Sequence, residues 1–565
     1  GPPLPTRVMA RLALVGRLAA AAVLLAAVAA VTAKPVTVDG QTYLYQHARV
    51  PADQATPLDE YVAAEDGVYT WFDTGYTNIT GGGWKGHLIN LTSCKWLTEA
   101  EVGDRTVWTH QLVIIVPDTI KDPDHSFVWI TGGENGENGP SGPPKVLSED
   151  VILAASLATG AGVVSASLFQ IPNQPIYYTD DPLKKRRIED AMIAYGWKKQ
   201  IDAINQGTAG NPQWLARLPM TKSVVRAMDT VTAFAANSTL YHDAVAAGVA
   251  AGHFSAERGA AATGPGKFVV AGASKRGWTT WTTAAVDKRV VAQIPMVMDA
   301  LHISHFMHRM WMSYGGWSFA LEDYYALNIT VDFDTKGVTY LESVVDPASY
   351  LDRYTMPKLV VDATGDEFFM MDDDKPYWAV LPEPKKRLMV QNAEHSLATG
   401  LFEVLDAVIS FVSSVVTSTT TPKVTWTVSP DGSSINMTTD TTPSSVKMWV
   451  ANTSAGHHTP GTRDFRLLTA QDPCKSIPVA GHCLNLYFFD KKPLASTPGN
   501  DKEYVATVPI PDISEGVWTA FLIEATYKSP FTTDSTYTFT TQASMVPQQL
   551  PFPNCKGDGC RGTLV

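Results

Sequence analysis

Residues 83–415 read as an α/β domain built on a mostly parallel sheet, and residues 423–546 read as a separate all-β module. Two patterns predict this. In the first region short β-branched runs alternate with longer segments of helical period; beyond a Ser/Thr-rich linker, 416–422, ending at Pro422, the helical period disappears. Composition agrees: 45% hydrophobic, 10% aromatic and 18% charged residues in a chain of 565 exclude a disordered, collagenous or coiled-coil protein. A formal net charge of −12 makes the chain a poor counterion for phosphate backbones, so nucleic acid is not an expected partner.

Taken in chain order, Arg7, Arg11 and Arg17 precede an apolar run over 18–31, and Val31 and Ala33 supply a small-x-small cleavage pattern. This predicts a signal peptide over 1–33 and a secreted, extracellular product. Gly16 and Arg17 interrupt the run, which favours cleavage over anchoring, and no later run reads as a membrane span. Asn78, Asn90, Asn237, Asn328, Asn436 and Asn452 occupy Asn-x-Ser/Thr sequons, as expected of a glycoprotein. Five cysteines fit an oxidising compartment: Cys474 with Cys483 and Cys555 with Cys560 would close small loops and leave Cys94 unpaired, one of the three connectivities that four cysteines permit. Their spacing lacks the pattern of a metal site, and no cofactor is implied.

Residues 34–82 are expected to pack on the α/β domain as an N-terminal segment. Strands are predicted at 86–91, 109–116, 127–131, 162–168, 267–271, 290–298, 358–363 and 387–391, with helices at 148–158, 188–204, 221–237, 275–286 and 401–415. In the second module the strands 424–428, 446–451 and 536–541 predict an immunoglobulin- or fibronectin-like sandwich. The Pro/Gly-rich tail, 547–565, reads as irregular.

The chemistry centres on Lys267-Phe268-Val269-Val270-Ala271-Gly272-Ala273-Ser274-Lys275-Arg276-Gly277. A strand entering Gly-x-Ser and leaving as a helix is a nucleophile elbow, in which small neighbours let the backbone fold back sharply beneath an exposed serine. Arg276 stands where the usual motif has glycine, a variant that resembles the elbow of glucuronoyl esterases; its side chain is expected to turn back and pair with a neighbouring acid. An α/β-hydrolase fold needs serine, acid and histidine in that order at strand ends, and Asp366 follows the strand 358–363 while His395 follows 387–391. Ser274, Asp366 and His395 are therefore the candidate catalytic set. The glycine-rich loop Thr131-Gly132-Gly133-Glu134 after the third parallel-sheet strand predicts oxyanion donors at Gly133 and Glu134, together with Lys275.

Other acids compete. Asp299 ends the strand 290–298 and is read as a partner of His302 or Arg309, while Asp372, Asp373 and Asp374 are read as a solvated helix start. Between 299 and 350 a cap is expected, with His302, His305, His308, Trp311, Tyr314, Trp317, Tyr324 and Tyr325 as candidate pocket residues; the histidine spacing is read as solvated or core histidine rather than a metal site.

The strings Trp197-Lys198-Lys199, Leu218-Pro219-Met220-Thr221-Lys222, Val225-Arg226-Ala227-Met228-Asp229, Gly272 through Trp278 and Asp366-Glu367-Phe368-Phe369 resemble the PhoPQ-activated pathogenicity-related proteins, a family of the α/β-hydrolase clan that includes secreted proliferation repressors. The resemblance spans roughly 56–544 and implies a hydrolase fold followed by a C-terminal β domain. The leading expectation is a secreted serine hydrolase acting on an ester or amide of a small molecule or peptide. Its alternative is a non-catalytic extracellular signalling or adhesion protein on the same scaffold, with a cell-surface receptor as partner.

Overall fold

The computed structural model describes residues 35–38, 41–44, 49–76, 78–136, 139–140, 148–453, 461–470, 477–479, 482–485, 489–531 and 535–565. The expected signal peptide and Cys474 lie outside these residues.

The α/β region is organised on the strands β1 (Thr70–Asp73), β2 (Trp84–Lys95), β3 (Val107–Pro117), β4 (His125–Ile130), β5 (Val164–Leu168), β6 (Lys267–Ala273), β7 (Val290–Met296), β8 (Lys358–Ala363) and β9 (Lys385–Val390). They lie side by side in the order β9-β8-β7-β6-β4-β5-β3-β2-β1, with the short strand Thr80–Gly81 beside β2. From β9 to β5 neighbouring strands are parallel, whereas β5, β3, β2 and β1 pair antiparallel. The parallel strands are apolar almost throughout because helices cover both faces: α1 (Glu149–Leu157), α2 (Glu189–Asn205), α3 (Arg217–Asn237), α4 (Lys275–Val286) and, after the cap helices α5 (Ile303–Tyr314) and α6 (Lys336–Val345), α7 (Leu401–Val416). This is the α/β-hydrolase architecture.

The cap is tied locally. Asp346 accepts from the backbone N–H of His302 and Ile303 at 3.0 and 2.8 Å, satisfying donors at the start of α5 that have no intrahelical acceptor. Gly315 ends α5 at φ 71°, a left-handed turn that suits glycine.

The C-terminal strands are β10 (Val424–Val428), β11 (Ser434–Thr439), β12 (Ser445–Asn452), β13 (Asp490–Pro493), β14 (Glu503–Thr507), β15 (Thr519–Lys528), β16 (Thr536–Thr540) and β17 (Ser544–Val546). One antiparallel sheet runs β10-β11-β14 and the other β13-β12-β15-β16, with β17 on β15. Their inner faces, including Ile435, Met437, Phe521 and Phe539, join one apolar core with Val404, Val408 and Phe411 of α7 and with the sheet of the first region. Edge strand β9 is covered there as well, since Met389 N–H donates to Thr540 Oγ1 at 2.9 Å.

Three expectations are corrected and a fourth is extended. The segment Ala398–Val416 is long and apolar enough to cross a membrane by length and composition, contrary to the reading that no later run is; half of it is buried between sheet and sandwich, so its apolarity serves a core. The tail is irregular but docked: Trp317 exchanges backbone hydrogen bonds with Thr563 and Val565 at 2.9 and 2.8 Å, and Cys555 and Cys560 form a disulfide beside it. The Asp372, Asp373, Asp374 run is buried rather than solvated. Asp372 meets Arg309 at 2.9 Å and also Arg463 from the C-terminal region, which supply the charge that water would otherwise solvate. Asp299 pairs with Arg387 at 3.3 Å and with the Tyr377 hydroxyl, not with His302 or Arg309.

Cys94 is a buried free thiol, pushed up to about 11 by burial, and Cys483 is buried and disulfide-bonded. Of the sequon residues, Asn78, Asn237 and Asn328 are exposed, while Asn90, Asn436 and Asn452 are half-buried on strands.

Arg387, fully buried, also meets Asp362 at 3.2 Å and Asp374 at 2.9 Å, so one guanidinium serves three carboxyl groups whose ionisation burial pushes up. Removing it strands that cluster without compensation. Arg387→Leu is expected to lose about 3–5 kcal/mol in urea unfolding; a loss below about 1 kcal/mol, the range of an exposed pair, would show that the cluster is not held by this charge.

Candidate active site

Strand β6 ends at Ala273 and helix α4 starts at Lys275, so Ser274 carries the whole reversal at φ 57° and ψ −128°. Its N–H donates to Met296 C=O of β7 at 2.9 Å, and its C=O accepts from Trp278 N–H at 2.9 Å. The flanking glycines are there for close approach. A Cβ on Gly272 would lie 2.8 Å from the Arg276 carbonyl oxygen, and one on Gly277 would lie 2.6 Å from that of Met296. Larger residues would push the helix off the strand.

His395 sits in the loop after β9, with Nε2 2.8 Å from Ser274 Oγ and Nδ1 2.8 and 2.9 Å from the two oxygens of Asp366. Asp366 follows β8, and its Oδ1 also accepts from the N–H groups of Phe368 and Phe369 at 2.7 and 3.2 Å, which fixes the carboxylate toward the ring. Phe368 packs against the imidazole, centroids 4.4 Å apart. Glu367 accepts from His395 N–H at 3.2 Å, and burial beside Asp366 pushes its own ionisation up. Burial disfavours the His395 imidazolium, but the Asp366 carboxylate outweighs it and raises the pKa above the usual value. Asp299 and Asp372 to Asp374 have their own arginine partners, described above, and Asp366 is the acid on the histidine.

Of the oxyanion candidates, Lys275 is the first residue of α4, where a backbone N–H has no intrahelical acceptor. Gly133 takes φ 121°, and Glu134 forms a bridge with Gln174 while its side chain meets Arg186. Arg276 turns back: its guanidinium bonds Glu189 and the Ile171 carbonyl, each at 2.5 Å, and packs so close to Gly132 that a Cβ there would lie 2.6 Å from Nη2. It thereby braces the glycine loop against the elbow.

A cavity of about 40 Å³ adjoins Ser274, lined by Trp197, Trp278, Phe306, Leu321, Tyr324 and Phe369 among others. Of the eight cap residues expected to line the pocket, Tyr324 does so. Trp311 and Trp317 pack on each other at 5.4 Å, Tyr314 stacks under Arg466 at 4.3 Å, Tyr325 under Arg561 at 3.7 Å, and His308 meets Asp334 at 3.0 Å. His302 and His305 stack on each other with centroids 5.6 Å apart. These side chains hold the cap together rather than face the cavity.

Sequence reasoning missed Arg217 at the start of α3. It is buried against the Trp278 ring at 4.5 Å, donates to the Lys275 carbonyl and to Thr279 Oγ1, and is pushed down to about 9 by burial. It clamps the first turn of α4, and nothing in its local sequence signals that. A second serine–histidine contact, Ser93 Oγ to His110 Nε2 at 2.8 Å, is fully buried; Nδ1 of that histidine faces backbone carbonyls rather than a carboxylate, so it serves packing.

The family model described as PhoPQ-activated pathogenicity-related protein matches residues 58–466. Autocrine proliferation repressor protein A of Dictyostelium discoideum is 35% identical over 532 residues, which cover 90% of this chain and 95% of that one. Among solved structures, the acetyl xylan esterase of Paenibacillus sp. R4 is 11% identical with TM-score 0.40, covering 64% of this chain and 96% of that one. A glucuronoyl esterase from Solibacter usitatus is 12% identical with TM-score 0.34, covering 63% and 91%.

Two outcomes follow from this geometry. Because Asp366 raises the His395 pKa, the neutral ring that can accept the Ser274 proton appears only as pH rises through a value above about 6.5. An NMR titration of the ring should place its midpoint above that value and Asp366→Asn should lower it; an unshifted midpoint would mean the pair is not formed in solution. Arg276→Lys loses the planar fork, and its melting temperature is expected to drop with little change in Ser274 reactivity; unchanged melting would contradict the bracing role.

Proposed function

The chain belongs to the PhoPQ-activated pathogenicity-related protein family, and from that premise we propose that it is a serine hydrolase cleaving an ester or amide through an acyl-Ser274 intermediate. The observation that carries this reading is the unbroken hydrogen-bonded chain Ser274–His395–Asp366, with contacts of 2.8 Å at each step. His395 Nε2 takes the Ser274 proton as Oγ attacks the carbonyl carbon, then passes it to the leaving group. Water deacylates the serine by the same route, and Asp366 holds the tautomer and stabilises the imidazolium throughout. The N–H of Lys275, with those of Gly133 and Glu134, is the proposed donor set for the oxyanion.

A second reading rests on the named relative: a chain 35% identical over nearly its whole length is an autocrine proliferation repressor, and this chain is then an extracellular signal in which the hydrolase scaffold serves recognition.

A fluorophosphonate probe is expected to label Ser274, and Ser274→Ala to abolish labelling. Asp366→Asn should reduce turnover of a p-nitrophenyl acetate reporter by about 10³–10⁴ while melting is preserved. No labelling of folded protein would remove the catalytic reading. Should Ser274→Ala retain full growth-repressing activity on cells, the signalling reading stands without catalysis.

A further inference from the structure

A second cavity lies at the opposite end of the sheet from Ser274. It measures about 680 Å³ and is walled by the starts of β4, β6, β8 and β9, the end of α7 and the linker into β10. The parallel register brings basic side chains into line there, His125, which is hydrogen-bonded to Asp122, opposite Lys267 and Lys358 opposite Lys385. Lys386 and Lys423 complete the wall, and the hydroxyls of Ser414 and of residues 418–421 face the same space.

These amines are not neutralised by an equal number of acids. Glu383 approaches Lys385 Nζ only to 3.8 Å, and Asp440 accepts from the Lys423 backbone N–H at 2.9 Å. With Lys358 left out, four lysines against two carboxylates leave a surplus of two positive charges. Lys358 donates to the carbonyls of Pro382 and Pro384, Lys385 to those of Trp378 and Leu381, and Lys386 to that of Pro422. An ammonium has three donors, so each keeps at least one unspent. Among the described residues, Lys267 and Lys423 are exposed and their amines have no partner. Burial, with Lys385 beside it, pushes Lys358 down to about 7, so this amine carries only part of a charge near neutral pH. A concentration of positive charge on a chain of net charge −12 is not a by-product of composition.

We propose that this cavity is a binding site for a small polyanion carrying two or more phosphate or sulfate groups. Lys267 and Lys423 reach the ligand from the open side, and Lys385 and Lys386 contribute their unspent donors. Because the cavity straddles the linker between the α/β region and the β-sandwich, an occupant bridges the two.

The test is calorimetric titration of the whole chain with sodium tripolyphosphate and, separately, with a trisulfated heparin disaccharide. At about 50 mM salt one saturable site is expected, weakening steeply as salt rises. Lys267→Gln/Lys423→Gln, at exposed positions, should weaken binding about tenfold, equivalent to ~1.4 kcal/mol, with unchanged melting. The control Lys491→Gln/Lys492→Gln, exposed on β13, should stay within about twofold of the unmodified chain. Binding of the phosphate compound alone or the sulfated sugar alone supports the site and identifies its source. No saturable binding of either, or equal loss in the control, overturns it. Ser274→Ala should bind as the unmodified chain does, which separates this site from the hydrolase reading.

Discussion

Strand β6 has to become helix α4 within one residue, and the rest of the site is arranged around that reversal. A serine at φ 57° is held against steric preference only because the surrounding backbone over-determines it: Ser274 N–H is spent on β7, its carbonyl on α4, and Gly272 and Gly277 let strand, helix and β7 close to contact. Arg276 and Arg217 then fasten the first turn of the helix from two sides, one to Glu189 and the Gly132 loop, the other to the Lys275 carbonyl. Ser274 is therefore positioned by backbone and by cations that never touch it.

Asp366 and His395 come from the ends of β8 and β9, and beneath them lies a buried layer of charged groups. Arg387 gathers Asp299, Asp362 and Asp374 from three neighbouring segments, while Asp372 joins Arg309 of the cap to Arg463 of the C-terminal region. Pairs of this kind add little net stability over an apolar core, but breaking one is costly. Their effect here is to fix the cap and the C-terminal region in one relation to the strand ends that carry Asp366 and His395. The docked tail adds a further tie through Trp317 and the Cys555–Cys560 disulfide.

The two ends of the sheet differ in chemistry. The carboxyl ends of the strands present a small, aromatic space beside a serine, while the amino ends present a larger, lysine-rich space beside the linker. Helix α7, apolar enough to resemble a span, is what lets both exist in one body, since it is shared as core by the sheet and the sandwich.

What was legible in the sequence followed from local rules. Apolar runs of strand length and helical periods placed the elements within a few residues, because a parallel strand buried on both faces has to be apolar throughout. The elbow was legible because a one-residue reversal demands small neighbours, and Asp366 and His395 stood out as candidates because they follow strands in the chain order the fold requires. Partnership was not legible. Three consecutive aspartates look like a solvated helix start until Arg309, Arg387 and Arg463, distant in sequence, are brought against them. Cap aromatics look alike until packing separates Tyr324 at the cavity from Trp311 and Trp317 under the tail. The sequence by itself determined fold class, elbow and the order of candidate groups, since these depend on period and local steric demand; the tertiary structure alone decided which charges meet and which rings face the cavity, since those depend on contacts between residues far apart in the chain.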